Sequence, residues 1–205
     1  MDEYNIVIAS VGGQGGLTLS RVIGQAALLK GYRVRIGETL GMSQRGGIVQ
    51  SYVRIGERVE SPLIEEGKAN AILGLEPIET LRAARVYANK STLIIVNTEP
   101  IHTITTITGR EKYPPLLDVL DELRRISDNV VAVNATEYAR SRGLPYSTNI
   151  VILAVFASKT NVIEPEYYVR GIRAFVRRLT EKNIELFNNV LMSADRVLSI
   201  ISPQR

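Results

Sequence analysis

The sequence predicts an α/β protein built on an open, mostly parallel, Rossmann-like sheet. Three observations lead there. Short apolar runs at residues 4–10, 69–75, 92–96 and 130–133 have the length and composition of buried strands. Segments with apolar residues at helical spacing separate them, and several open on a proline, which a helix accepts in its first turn. The first strand passes into the first helix through Val11-Gly12-Gly13-Gln14-Gly15-Gly16-Leu17-Thr18. Such glycine turns let a backbone approach a ligand closely, while the first-turn N–H groups and the helix dipole attract negative charge.

The elements follow in order. After the glycine turn, Leu19, Val22, Ile23, Ala26 and Leu29 mark a helix that Gly31 stops. Residues 32–36 read as a second strand ending at Gly37-Glu38. Glu38 stands where a dinucleotide fold binds a ribose hydroxyl, but the broken fingerprint described below makes it a loop carboxylate instead. A second glycine-rich loop, Leu40-Gly41-Met42-Ser43-Gln44-Arg45-Gly46-Gly47, opens into an alternating strand at residues 49–55. Ser61-Pro62-Leu63-Ile64 is a connector. Pro77 starts a helix with Ile78, Leu81, Ala84 and Tyr87 as its buried stripe, and Asn97-Thr98-Glu99-Pro100-Ile101 is a loop at the carboxyl edge of the sheet. His102 follows in a threonine-rich loop, where no neighbouring residue supports a catalytic role. Pro114-Pro115 starts a helix through Leu116, Leu120 and Leu123. A short helix at residues 135–142 comes next, then an apolar, buried helix at residues 150–157 capped by Pro145-Tyr146-Ser147-Thr148-Asn149. Pro165 begins a helix carrying Arg170, Arg173, Arg177 and Arg178, which is a solvated face or a docking surface for an acidic partner. A last helix runs from residue 181 to about residue 199.

The glycine turn alone leaves two readings open. It misses the dinucleotide fingerprint G-x-G-x-x-G, because Thr18 stands where the third glycine belongs, and no G-x-x-x-x-G-K-[ST] is present. It is either a phosphate site or simply a tight strand-to-helix turn. The second loop is similarly open: its serine, glutamine and arginine beside paired glycines supply donors to an anion, or form a hairpin-like connection with incidental polarity.

Composition narrows the chemistry. A chain of 205 residues suits one domain with a substantial core, and its 45% apolar share is ordinary. No apolar run approaches the ~20 residues of a membrane span, and Met-Asp-Glu-Tyr lacks the regions of a signal peptide, so a soluble cytoplasmic protein is expected, with no membrane partner. The sequence holds no cysteine, hence no disulfide, no thiol nucleophile and no thiolate for an iron–sulfur cluster. A single histidine, His102, removes most metal sites and most His-paired serine chemistry. The net charge of +4 and pI near 9.4 suit an anionic ligand or an acidic protein partner. Basic residues are not interleaved with aromatics, so no nucleic-acid partner is expected.

Taken as an ordered set, several stretches resemble one family, the gamma-type subunits of the 2-oxoacid:ferredoxin oxidoreductases. They are Val11-Gly12-Gly13-Gln14-Gly15 with Thr18, Gly24-Gln25-Ala26-Ala27, Gly41-Met42-Ser43-Gln44-Arg45-Gly46-Gly47, Ser61-Pro62-Leu63-Ile64, Leu75-Glu76-Pro77 and Asn97-Thr98-Glu99-Pro100-Ile101. The match is strong over about the first hundred residues and looser beyond. The Met-Ser-Gln-Arg form of the second loop favours the indolepyruvate branch over the pyruvate and 2-oxoglutarate branches. The resemblance implies a three-layer α/β sandwich over residues 1–205. It also implies a division of labour, in which a larger partner subunit holds thiamine diphosphate, Mg and the iron–sulfur clusters, decarboxylates the 2-oxoacid and passes electrons to ferredoxin. Coenzyme A then takes the acyl group. This chain has no Gly-Asp-Gly of the thiamine diphosphate motif, so it holds none of these cofactors alone. Carried over from the family, the coenzyme A contacts are Gly12, Gly13, Gln14, Gly15 and Gly16, then Ser43, Gln44 and Arg45, with Asn149 beside them. Gly16 departs from the larger aliphatic residue common in relatives, which implies a looser turn. The alternative class is a stand-alone nucleotide-binding module or small NAD-type dehydrogenase.

Overall fold

A computed structural model describes residues 1–40, 47–101 and 112–193. Its described elements are β1 (Glu3–Val11), α1 (Gly16–Lys30), β2 (Arg33–Leu40), β3 (Ile48–Gly56), β4 (Ala71–Gly74), α2 (Pro77–Tyr87), β5 (Leu93–Asn97), α3 (Leu116–Ile126), β6 (Asn129–Val133), α4 (Ala135–Arg140), α5 (Thr148–Lys159), α6 (Pro165–Phe175) and α7 (Thr180–Met192). The six strands form one sheet in the order β2-β3-β1-β4-β5-β6. β1, β4, β5 and β6 are parallel neighbours; β3 runs antiparallel to both β1 and β2. The mostly parallel open α/β sheet is therefore as the sequence predicts.

Side-chain alternation along the central strands builds two cores, one on each face. Ile6 and Ile8 of β1 pack with Leu19, Val22 and Ile23 of α1 and with the apolar helix α5. Val7 and Ala9, pointing the other way, pack with Ala83 and Ala84 of α2 and with Val119 and Leu120 of α3. This is why β1 and β4 read as unbroken apolar runs rather than alternating ones. α5 is buried from Thr148 to Ala157 because β5 and α7 both pack against it.

Several expectations shift in detail. Glu38 lies within β2, not in a loop: antiparallel pairing with β3 carries the strand on to Leu40, with Glu38 opposite Ser51. The inner stripe of α2 is Thr80, Ala83 and Ala84, with Ile78, Leu81 and Tyr87 only partly covered. Gly74 explains the rotation, since a Cβ there would sit 1.8 Å from Thr80 Oγ1, and the helix packs down on that spot. α6 ends at Phe175, so Arg177 and Arg178 lie beyond it rather than on it. α7 spans Thr180–Met192, and the expected continuation towards residue 199 falls outside the described residues.

Candidate functional site

β1 and β4 are adjacent parallel strands whose following helices, α1 and α2, lie on opposite faces of the sheet. A crevice opens outside their carboxyl ends, the place where open α/β sheets receive ligands. The glycine turn fills one side of it. Gly13 and Gly15 have φ of 103° and 84°, conformations that only glycine adopts without strain, and they fold the chain sharply into α1. Gln14 braces the turn from within. Its Oε1 accepts the Val11 N–H at 2.8 Å and its Nε2 donates to the Leu75 carbonyl at 2.8 Å, tying the ends of β1 and β4 together. Gly16 tightens rather than loosens the turn, since a Cβ there would lie 2.4 Å from Ser10 Oγ. That serves the close helix–strand packing which a third glycine gives in a dinucleotide fold.

Gly15 is the N-cap of α1, which has no side-chain cap and no acidic residue in its first turn. The N–H groups of residues 15–18 have no intrahelical acceptor. Asn149, buried at the start of α5, donates from Nδ2 to the Gly15 carbonyl at 3.2 Å, and its Oδ1 accepts the Ile150 N–H. A Cβ on Gly15 would meet that Asn149 amide at 2.6 Å. The second loop returns to the same place, since the Gly12 N–H donates to the Gly47 carbonyl at 2.9 Å. Ser43, Gln44, Arg45 and His102 themselves lie outside the described residues.

Two clefts flank the turn. The larger, about 540 Å³, is lined by Gly13, Gly15, Thr18, the 143–150 stretch, the 175–179 stretch and Asn183. The N-cap residues of three helices, Gly15, Ser147 and Leu179, all lie on its wall, and none of those helices has a side-chain cap. The smaller, about 340 Å³, is lined by Gly12, Gly13, Gln14, Glu99, Ile101 and residues of the α4–α5 region. Pro145 and Tyr146 border both, and Tyr146 is 92% exposed. The clefts differ in charge. Arg177 and Arg178 line the larger, whereas the smaller holds Glu99, paired with Arg140 at 2.8 Å.

Beside β4, Glu76 closes the crevice without entering either cleft. Its Oε2 caps α2 by accepting the Glu79 N–H at 2.9 Å, and its Oε1 accepts the Tyr113 hydroxyl at 2.5 Å. Burial, then the Glu76 hydrogen bond, pushes the Tyr113 hydroxyl pKa up. Glu79 is buried with an unpartnered Oε2, and desolvation raises its pKa, opposed by Arg82 and reinforced by Glu76. These groups hold the frame. No group of three or more His, Cys, Asp or Glu positioned for a metal ion occurs among the described residues.

The structure thus brings together the turn glycines, Gln14, Asn149 and the end of the second loop. Sequence reasoning missed Tyr146, Arg177, Arg178 and Asn183. The arginines continue the helical spacing of Arg170 and Arg173, and nothing local signals that α6 stops ahead of them.

A pyruvate ferredoxin/flavodoxin oxidoreductase family model matches residues 5–192, nearly the whole chain. The chain belongs to that family. It is 46% identical over 153 residues to the indolepyruvate oxidoreductase subunit IorB of Archaeoglobus fulgidus, covering 75% of each chain. Solved structures of similar fold include the keto/oxoacid ferredoxin oxidoreductase gamma subunit of Geobacter sulfurreducens. That likeness has a TM-score of 0.67 at 19% identity, covering 94% of this chain and 99% of that one. A second is the 2-oxoglutarate:ferredoxin oxidoreductase of Magnetococcus marinus with 2-oxoglutarate, coenzyme A and succinyl-CoA bound. There the TM-score is 0.71 at 14% identity, and the likeness covers all of this chain and 32% of that one. The same fold thus occurs both in a separate gamma subunit and within a longer chain.

Proposed function

We propose that this chain, as one gamma-type domain over residues 1–205, is the non-redox subunit of a cytoplasmic, thiamine-diphosphate-dependent 2-oxoacid:ferredoxin oxidoreductase. Its substrate is an aryl 2-oxoacid such as indolepyruvate, which the complex oxidatively decarboxylates to an acyl-CoA. Family membership and the 46% identity to an indolepyruvate oxidoreductase subunit support the class. The observation that carries the role of this chain is the uncapped N-terminus of α1, turned by Gly13 and Gly15 into an open cleft at the switch point of the sheet. That is an anion site, and it suits the diphosphate of coenzyme A. In this reading Gly13, Gly15 and Gly16 present backbone N–H groups, while the Gly12 N–H, donated to the Gly47 carbonyl, ties the second loop to the turn. Gln14 and Asn149 hold the turn in shape, and Ser43, Gln44 and Arg45 add donors from the second loop.

The redox groups do not fit these residues. A sequence with no cysteine has no thiolate for an iron–sulfur cluster, so clusters, thiamine diphosphate and Mg fall to a larger partner, which also meets ferredoxin. A stand-alone NAD-type dehydrogenase is disfavoured by topology. β3 inserts between β1 and β2, placing Glu38 on the edge strand, exposed and one strand away from the turn.

The test is co-expression with the cysteine-rich, thiamine-binding subunit, followed by an assay of 2-oxoacid- and coenzyme A-dependent electron transfer. Activity is expected from the complex and not from this chain alone. NAD-dependent oxidation by the isolated chain, or full activity of the larger subunit without it, would refute the reading.

A further inference from the structure

The larger cleft carries cationic equipment that the glycine turn does not account for. α6 stops at Phe175, Val176 is extended, and the next residues run along the cleft wall instead of continuing the helix. Arg177 and Arg178 are exposed there, and neither has an ion-pair partner among the described residues, whereas nearby Arg173 is held by Glu181 at 3.2 Å. Asn183 fixes the stretch. It is 4% exposed, and its Nδ2 donates to the carbonyls of Arg178 at 3.2 Å and Leu179 at 3.0 Å. Its Oδ1 is buried with no partner among the described residues, a costly state for a polar atom. Leu179 completes the bend with φ of 51°, the one positive φ outside glycine among the described residues.

We infer that the Arg177–Arg178 stretch receives the 3′-phosphate of coenzyme A, and so selects coenzyme A over nucleotides that lack it. The inference rests on the coenzyme A reading given above. Coenzyme A carries two separate anionic groups, a diphosphate and a monoester phosphate, and the cleft is lined by two matching kinds of anion-binding group. Backbone N–H groups at the α1 turn suit the diphosphate, while guanidinium groups suit the more highly charged monoester. Tyr146 and Phe175 on the same cleft wall offer the adenine apolar contact. The smaller cleft is the poorer choice, because no cationic side chain among the described residues lines it.

The experiment measures KM for coenzyme A and for dephospho-coenzyme A in the complex of this chain with its larger subunit. It compares wild type, the double variant Arg177→Gln/Arg178→Gln, and Thr18→Asp, which puts a negative charge at the α1 turn. Wild type should prefer coenzyme A. The double variant should raise KM for coenzyme A by roughly ten- to a hundredfold and narrow that preference, with Tm and assembly unchanged. Thr18→Asp should raise KM for both cosubstrates. The inference is overturned if wild type shows no preference or the double variant keeps it. It is equally overturned if the double variant instead fails to assemble, which would give the arginines to an acidic partner surface. If the double variant fails to act but Thr18→Asp does, only the arginine assignment falls. If neither moves KM, the coenzyme A reading falls with it.

Discussion

Glu79 shows how a single residue is held at a cost. Desolvation raises its carboxyl pKa above 4.5, with Glu76 adding to the rise and Arg82 opposing it, and Oε2 has no hydrogen-bond partner. The folded state therefore binds the proton more tightly than the unfolded chain. Above the raised value the buried charge is a standing penalty. As pH falls from that value towards 4.5, protonation relieves the penalty, and below 4.5 it is gone. Glu79→Gln should accordingly raise Tm at pH 7, with the gain shrinking on acidification through that window. An unchanged or lower Tm at neutral pH would contradict this account. Gln14 is the opposite case, a polar side chain with both ends satisfied by backbone. Gln14→Ala leaves the Val11 N–H without its acceptor and should cost about 1–3 kcal/mol by denaturant unfolding. A loss under about 0.5 kcal/mol, the lower edge for one net hydrogen bond, would mean the brace is dispensable.

At the scale of elements, α1 links the proposed anion site to the core. Its N-terminus makes the turn, and its middle crosses α6 closely at Gly171, where a Cβ would lie 2.6 Å from the Val22 carbonyl oxygen. Gly171→Ala must push the two helices apart and should cost roughly 1–3 kcal/mol, read as a lower Tm. Wild-type stability in that variant would show the crossing to be loose. The sequence made the order of elements and the glycine turn legible, because both are local: apolar runs at strand length, proline at helix starts, and glycine where φ is positive. It did not make legible the two features that depend on pairing at a distance. β2 runs on through Glu38 only because β3 pairs back against it, and no composition signal marks that. The α2 stripe turned towards Thr80 and Ala83 because Gly74, on another element, gives it room. Arg177 and Arg178 were misplaced for a similar reason, since Asn183, several residues further on, holds the backbone that turns them onto the cleft wall.

Across the whole molecule, the sheet places an uncapped helix N-terminus, Gly47 and an arginine-bearing wall at one edge, and no described helix is long and apolar enough to cross a membrane. In the proposed function this edge is the coenzyme A site of a larger complex. Glycine variants test that poorly, because strain at Gly13 would reshape the turn whatever binds there. Thr18 separates structure from function. It lies in the first turn of α1 and lines the cleft, and an acidic residue at such a position favours the helix by about 0.3–1 kcal/mol. A fixed carboxylate there also occupies the field that a phosphate needs. The decisive measurement is KM for coenzyme A in the assembled complex bearing Thr18→Asp, read beside Tm. The account predicts a Tm equal to or above wild type together with a KM raised at least about tenfold, the effect of losing one charged hydrogen bond. An unchanged KM at undiminished Tm would contradict it, and would mean that coenzyme A binds elsewhere.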